Sequence, residues 1–269
     1  MNMISSVKWE SASSRPFNVP LGIKQGGINS PDFFSIYVDD LTRLLRSKGS
    51  GCHMYRLFVA AILFADDICL IAPTRSSLQE LIDCCSDYCH KFCLTFNPKK
   101  SKVVVFSPRT IDTKNFARIS LNGIHIEYVN SVKYLGLTLC SRPTFSFDSK
   151  SDLRNFYRSA NSILNVLKKP DECVLLHLLY SNCVPILTYA CAVKTYASRE
   201  MNDCNTALNN AIRRIFTYHR WESIRSLRVA FGYKSLTEIF QLSSKRFIDS
   251  LPNHSNSILR KLHSSISVE

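Results

Sequence analysis

The rhythm of apolar and polar residues changes several times along the chain, and each change predicts an element. Val7 and Trp9, then Phe17 and Val19, alternate as in extended chain. Phe34, Tyr37, Val38, Leu41, Leu44 and Leu45 then follow at helical spacing. Ser30 before Pro31 supplies a hydroxyl cap and a proline at the first helical position, and Gly49 and Gly51 stop the helix. Two apolar runs, Leu57 to Phe64 and Ile68 to Ala72, flank Ala65-Asp66-Asp67 and predict a hairpin of buried strands. Helical period returns over 76–93 and breaks at Asn97-Pro98. Val103 to Phe106 reads as a short strand and Val132 to Leu139 as another, while Asn122-Gly123 inside Ile119 to Ile126 predicts a tight hairpin.

From Asp148 onward only helical patterns remain, over 148–169, 173–184, 186–198, 201–217 and 235–249. The expected class is α+β, with an antiparallel sheet and packed helices over 1–145, an all-helical region over 146–250, and a frayed polar tail over 251–269.

Composition narrows the picture. At 269 residues, 45% hydrophobic and 20% charged, the chain can bury a real core, which excludes wholesale disorder, collagen and coiled coil. Its 34 Lys and Arg against 21 Asp and Glu give a net charge of +13. An excess of that size points to a polyanionic partner, nucleic acid before membrane, with a solubilising basic surface as the alternative. The run Cys173 to Val193 is 21 residues without a charge, long enough to span a bilayer. Because it holds His177, Ser181, Asn182 and Pro185, it is expected instead to form two short buried helices, broken at the proline. Eleven cysteines without C-x-x-C or zinc-finger spacing, in a chain whose first 20 residues lack an apolar signal core, point to free thiols in a reducing intracellular compartment, nuclear or cytoplasmic. Cys85, Cys89 and Cys93 recur on one helical face, as buried thiols do.

Two acidic pairs compete for attention. Asp39-Asp40 lies mid-helix, four residues before Arg43, and reads as a solvated ion pair. Asp66-Asp67 lies between apolar strands, where two adjacent carboxylates repel each other and a divalent cation such as Mg²⁺ would relieve them. An ordinary acidic turn explains that pair equally well on its own. Ahead of it stands Gly22-x-x-Gln25-Gly26-Gly27-x-x-Ser30-Pro31, whose glycines let a backbone approach a ligand and whose Gln25 offers an amide. After it, seven Lys and Arg fall between Lys91 and Arg118 against the single acid Asp112, with Lys99, Lys100 and Lys102 clustered. These could hold phosphates or form a solvated loop face.

Taken in order, GIKQGGINSP, FADD, LTFNPKKSK and VKYLGL resemble the palm motifs of reverse transcriptases. The FADD form, LNGIHIEYVNSVKYLGLTL and the later PILTYACAV are similar to the non-LTR, LINE-type retrotransposon polymerases, over residues 7–240. The resemblance implies two-metal nucleotidyl transfer on an RNA template and DNA primer with deoxynucleotides. It makes Asp66 a metal ligand and Asp67 its catalytic neighbour. Gln25, Gly26 and Gly27 would line the nascent base pair, and Lys100 would lie near the leaving pyrophosphate. Tyr134, Leu135 and Gly136 would form the primer grip, and the helical region the thumb. No membrane and no obligate protein partner is implied.

That family also needs a metal-binding aspartate well before the Gln-Gly-Gly turn. The only acid ahead of Gly22 here is Glu10, in WESASSRPF, which resembles the segment leading into that turn. The chain is therefore expected to start downstream of that aspartate, as half a palm plus thumb with an incomplete Mg²⁺ site, inactive alone; the alternative is a non-catalytic RNA- and DNA-binding remnant of such a polymerase.

Overall fold

The structure, a computed structural model, describes residues 3–19, 22, 26–54, 56–107, 116–141, 145–166 and 171–266. It is a mixed α/β chain of small antiparallel sheets and helices. It divides into two compact units, residues 1–101 with 117–127, and residues 102–116 with 128–269.

The first unit opens with four short strands, β1 (Met3–Ser5), β2 (Lys8–Trp9), β3 (Ala12–Ser13) and β4 (Phe17–Val19), paired β1 with β4 and β2 with β3. Helix α1 (Ser30–Lys48) follows. Asn29 occupies its cap without a side-chain hydrogen bond, so Ser30 stands inside the helix, one position later than the sequence pattern suggested. Gly49 closes it with φ 70 and an N–H donated to the Arg46 carbonyl.

Next come β5 (His53–Met54), β6 (Leu57–Phe58), β7 (Ala61–Phe64), β8 (Asp67–Leu70) and helix α2 (Arg75–Lys91), which Thr74 caps by accepting the Ser77 N–H at 3.2 Å. The run Leu57 to Phe64 is two strands, not one. The chain changes partner at Val59 and Ala60: Val59 donates to the Cys52 carbonyl, while the Ala60 carbonyl accepts from Ile71.

Leu41 and Leu45 of α1 and Leu81, Cys84, Cys85 and Tyr88 of α2 form one apolar cluster with Phe58 and Ala60, and Ala61, Leu63, Ile68 and Leu70 of the β7–β8 hairpin pack against it. The hairpin was expected to be buried throughout, but helices cover one face only. Ile62 and Phe64 on the other face are 47% and 61% exposed. Gln79 of α2 grips the backbone of Ser120, accepting its N–H at 3.0 Å and donating to its carbonyl at 2.8 Å.

In the second unit β9 (Lys102–Val103) is shorter than the four-residue strand anticipated. In the first unit, β10 (Ile119–Leu121) and β11 (Ile124–Tyr128), whose last residue falls in the second, form the Asn-Gly hairpin, with φ 52 at Asn122 and 75 at Gly123. Val132 to Leu139 is not one strand. It turns at Leu135 and Gly136 into β12 (Ser131–Tyr134) and β13 (Leu137–Ser141), with β14 (Phe145–Phe147) beside β13.

Every described element after Phe147 is helical: α3 (Ser149–Val166), α4 (Glu172–Leu178), a π-helical turn (Leu179–Cys183), α5 (Val184–Thr188), α6 (Ser198–Ile215), α7 (Arg225–Ala230), α8 (Leu236–Ser250) and α9 (Ser257–Ile266). Pro185 does not break the chain here. The wider π turn ends with the Val184 N–H donating to Leu179, so the missing proline N–H falls at the junction with α5. The helix expected to reach 198 instead ends at Thr188, because Tyr189 turns extended and Ala190 takes φ 52. The tail, expected to fray, carries α9, and α7 was not foreseen.

Leu175, Leu176, Leu179, Leu187, Phe156, Leu208, Ile212 and Leu236 sit in one buried cluster, so one face of the uncharged run packs against the helices, while Val174 and Tyr189 stay about half exposed. Among the described residues no helix is long and apolar enough to cross a membrane. All eleven cysteines are free. Burial, with help from the neighbouring thiols, pushes Cys85 up to about 12, and burial pushes Cys89 to about 11. Cys93 leaves their face: it lies past the end of α2, exposed.

Three variants test this packing. Gly51 has φ 105, and a Cβ there would collide with that of Ala60 and come within 3.1 Å of Leu81 Cδ1. Gly51→Ala should lower stability by about 2 kcal/mol in urea unfolding. Lys194, its side chain 4% exposed, donates to Asp152 Oδ2 at 2.7 Å. Asp152→Asn should lower stability by on the order of 3 kcal/mol, and Asp152→Leu combined with Lys194→Met should recover most of that loss.

Candidate active site

Asp66 owes its position to a two-residue turn. Phe64 pairs with Asp67, which leaves Ala65 and Asp66 at the tip. Ala65 takes φ 50, a left-handed conformation that a side chain resists, so the turn depends on the packed strands behind it. Asp67 is the first residue of β8. Both carboxylates are exposed and have no hydrogen-bond or ion-pair partner among the described residues. Asp39 and Asp40 differ in kind: they lie on α1 and pair with Arg43 at 2.9 and 3.7 Å.

Gly26 and Gly27 occupy the turn that leads into α1. Gly26 has φ 80 with open space where a Cβ would be, and the Gly27 carbonyl accepts the Ser30 N–H at 3.2 Å. Gln25 lies outside the described residues. Lys100 is exposed on a turn organised by Asn97, whose side-chain oxygen accepts the Lys99 and Lys100 N–H groups at 3.0 and 3.4 Å. That role for Asn97 was missed in the sequence, where Asn-Pro registered only as a helix breaker.

The elements carrying these residues share one support. Tyr37 of α1 donates to the Phe92 carbonyl at 2.5 Å, and Tyr88 of α2 donates to the Tyr37 carbonyl at 2.7 Å. The Tyr37 and Tyr88 rings also meet Phe92 edge-on at 5.5 Å and tilted at 4.3 Å. Phe92 and Phe96, on the chain running toward Lys100, join the cluster that holds the Asp66 hairpin.

Tyr134, Leu135 and Gly136 belong to the second unit. Leu135 and Gly136 take φ 46 and 78, the paired left-handed conformation of a tight hairpin turn. Tyr189 supports the turn: its hydroxyl donates to the Leu135 carbonyl at 2.8 Å, and a Cβ on Gly136 would come 3.0 Å from its ring. Tyr189 was not singled out in the sequence, although it lies in the PILTYACAV string that carries part of the resemblance.

Two adjacent, exposed carboxylates are hard oxygen donors free to take a divalent cation. Among the described residues no group of three His, Cys, Asp or Glu converges, so these residues would hold an ion from one side. Because neither carboxylate supports the fold, Asp66→Asn and Asp67→Asn should each leave unfolding free energy within about 0.5 kcal/mol of the parent chain by denaturant titration.

Comparison with known proteins returns one family model, reverse transcriptase (RNA-dependent DNA polymerase), matched by residues 2–139. Over 267 residues the chain is 25% identical to the probable RNA-directed DNA polymerase from transposon BS of Drosophila melanogaster, covering 95% of the chain and 29% of that protein. It is 24% identical over 268 residues to the RNA-directed DNA polymerase from mobile element jockey of the same fly, covering 96% of the chain and 28% of that protein. A Pol polyprotein from the type-1 retrotransposable element R2 of Popillia japonica is 25% identical over 203 residues, 72% of the chain and 32% of that protein. The chain thus spans less than a third of the length of these relatives.

Proposed function

The chain belongs to the reverse transcriptase (RNA-dependent DNA polymerase) family, and from that premise we propose that residues 1–145 are the C-terminal half of a non-LTR retrotransposon polymerase palm and residues 146–250 its thumb. Its partners would be an RNA template, a DNA primer and deoxynucleotides. The observation that supports this most is the Asp66-Asp67 turn: two exposed, unpartnered carboxylates on a hairpin whose packing belongs to its other face.

Divalent cations, Mg²⁺ in this reading, supply charge stabilisation at the attacking and leaving oxygens of nucleotidyl transfer when bound. The chain's own residues do the rest. Asp66 and Asp67 would hold the ions. Gly26 and Gly27 let the backbone approach a nascent base pair, and Gln25, next to them in sequence, would offer an amide. Lys100, presented by the Asn97 turn, offers a cation to the phosphates that leave. Tyr134, Leu135 and Gly136 position the primer end.

Two neighbouring carboxylates from a single turn are too few to fix an in-line geometry, and a misplacement of about 1 Å can cost on the order of a hundredfold in rate. These 269 residues are therefore proposed to bind template and primer without extending them. The purified chain should show no primer extension with Mg²⁺ or Mn²⁺. A chimera that joins it to the preceding palm segment of the jockey polymerase should extend the primer, and Asp66→Ala should abolish that extension. Synthesis by the chain alone that is lost in Asp66→Ala would mean the missing ligand lies within these residues. Synthesis by the chimera that survives Asp66→Ala would remove Asp66 from the reaction.

A further inference from the structure

We propose that the turn His219 to Glu222, with the arginines around it, is a stacking platform for single-stranded nucleic acid. It uses residues to which the nucleotidyl-transfer reading assigns no role, and it takes from that reading only the class of ligand.

The platform is aromatic, exposed and built. The Trp221 indole lies on the His219 imidazole with ring centroids 4.6 Å apart and planes 4° from parallel. Trp221 is 76% exposed, although an indole gains more from burial than almost any other side chain. The turn beneath it is closed from several directions. The His219 carbonyl accepts the Glu222 N–H at 3.1 Å, and the Glu222 carboxylate accepts the His219 N–H at 2.5 Å. Arg213 Nε donates to the Glu222 carbonyl at 3.1 Å, and Ile224, 3% exposed, ties the following chain into the helical core. The stack is therefore presented in place, so little conformational freedom is lost when a ligand binds.

Charge selects the ligand. From Arg213 to Lys234 the chain carries Arg213, Arg214, Arg220, Arg225, Arg228 and Lys234 against the single acid Glu222. The Glu222 carboxylate is already engaged by the turn's own backbone. A strongly cationic stretch of chain that carries an open indole suits a polyanion with flat rings. Within a duplex the base faces are covered by their neighbours except at the two ends, so a single strand offers the His219–Trp221 stack many more open faces.

The chain has two tryptophans, Trp9 and Trp221, so Trp9→Phe leaves emission that reports Trp221 alone. That protein is titrated, without metal or nucleotide, with oligo-uridylate and oligo-thymidylate of about twelve nucleotides, and with a duplex and an RNA–DNA hybrid of the same length. Quenching by either single strand, far weaker with duplex and hybrid, supports the platform. Trp221→Ala should weaken single-strand binding on the order of ten- to a hundredfold with an unchanged far-UV spectrum, and Trp221→Phe should retain most of it. Arg220→Ala should lower the slope of log affinity against log salt by about one.

Equal affinity in Trp221→Ala, or equal quenching by duplex, overturns the proposal. So does Trp221-dependent self-association in sedimentation without any response to nucleic acid, which would make the patch a protein contact. Binding of the hybrid while neither single strand changes Trp221 emission sinks this inference alone, whereas loss of all nucleic-acid binding sinks the template-primer reading with it.

Discussion

A two-stranded ribbon is marginal in water on its own, so the Asp66 hairpin holds its shape only by packing on something else. The support is a single apolar face. Ala61, Leu63, Ile68 and Leu70 rest on Leu41, Leu45, Leu81 and Cys85, and the tyrosine–Phe92 clasp keeps the two helices beneath them in register. Everything proposed for the first unit depends on that contact. It orients the carboxylate turn, fixes the start of the path toward Lys100, and anchors the helix that the glycine turn enters. The opposite face, with Ile62 and Phe64 open, contributes nothing to that support.

The residues that carry the family likeness lie mostly on turns rather than in the elements those turns join. Ala65, Leu135, Gly136 and Gly26 all have positive φ. Tyr189 supports the Leu135–Gly136 turn. Side chains and backbone at such turns are free to meet a ligand because the fold does not need them for burial. The price is that a turn of this kind is only as rigid as the scaffold behind it.

Much of this was legible from residue order alone. Helical spacing located α1, α2, α3, α6 and α8 to within a few residues, and Asn122-Gly123 announced its hairpin because only such residues accept two left-handed positions cheaply. The double-aspartate turn could be placed because apolar strands on either side left nothing else for it to be. Other features could not be read this way. Leu57 to Phe64 is uniformly apolar, and no periodicity marks where a strand exchanges one partner for another. Leu135 does not look like a turn residue, so Lys133 to Leu137 passed for continuous strand. Pro185 is ordinarily a break, and its accommodation depends on a π turn that leaves no signature in composition. Trp221 follows Tyr218, His219 and Arg220 in an unremarkable string, and its exposure emerges only when Glu222 closes the turn beneath it.

The distribution of thiols has a practical side. Of eleven cysteines, only Cys93 and Cys173 are exposed, and they fall in different compact units. Maleimide reagents attack the thiolate, so the buried Cys85, Cys89 and Cys204, whose thiols are pushed to about 12, 11 and 11, are poor targets. Cys93 therefore offers a handle for a fluorophore or spin label. Cys173 offers a second, slower one, because its thiol is raised by a hydrogen bond to the Asp171 carboxylate. Once the half-buried Cys52, Cys69 and Cys140 are replaced, brief labelling followed by longer labelling would put two different probes on one molecule, one on each unit.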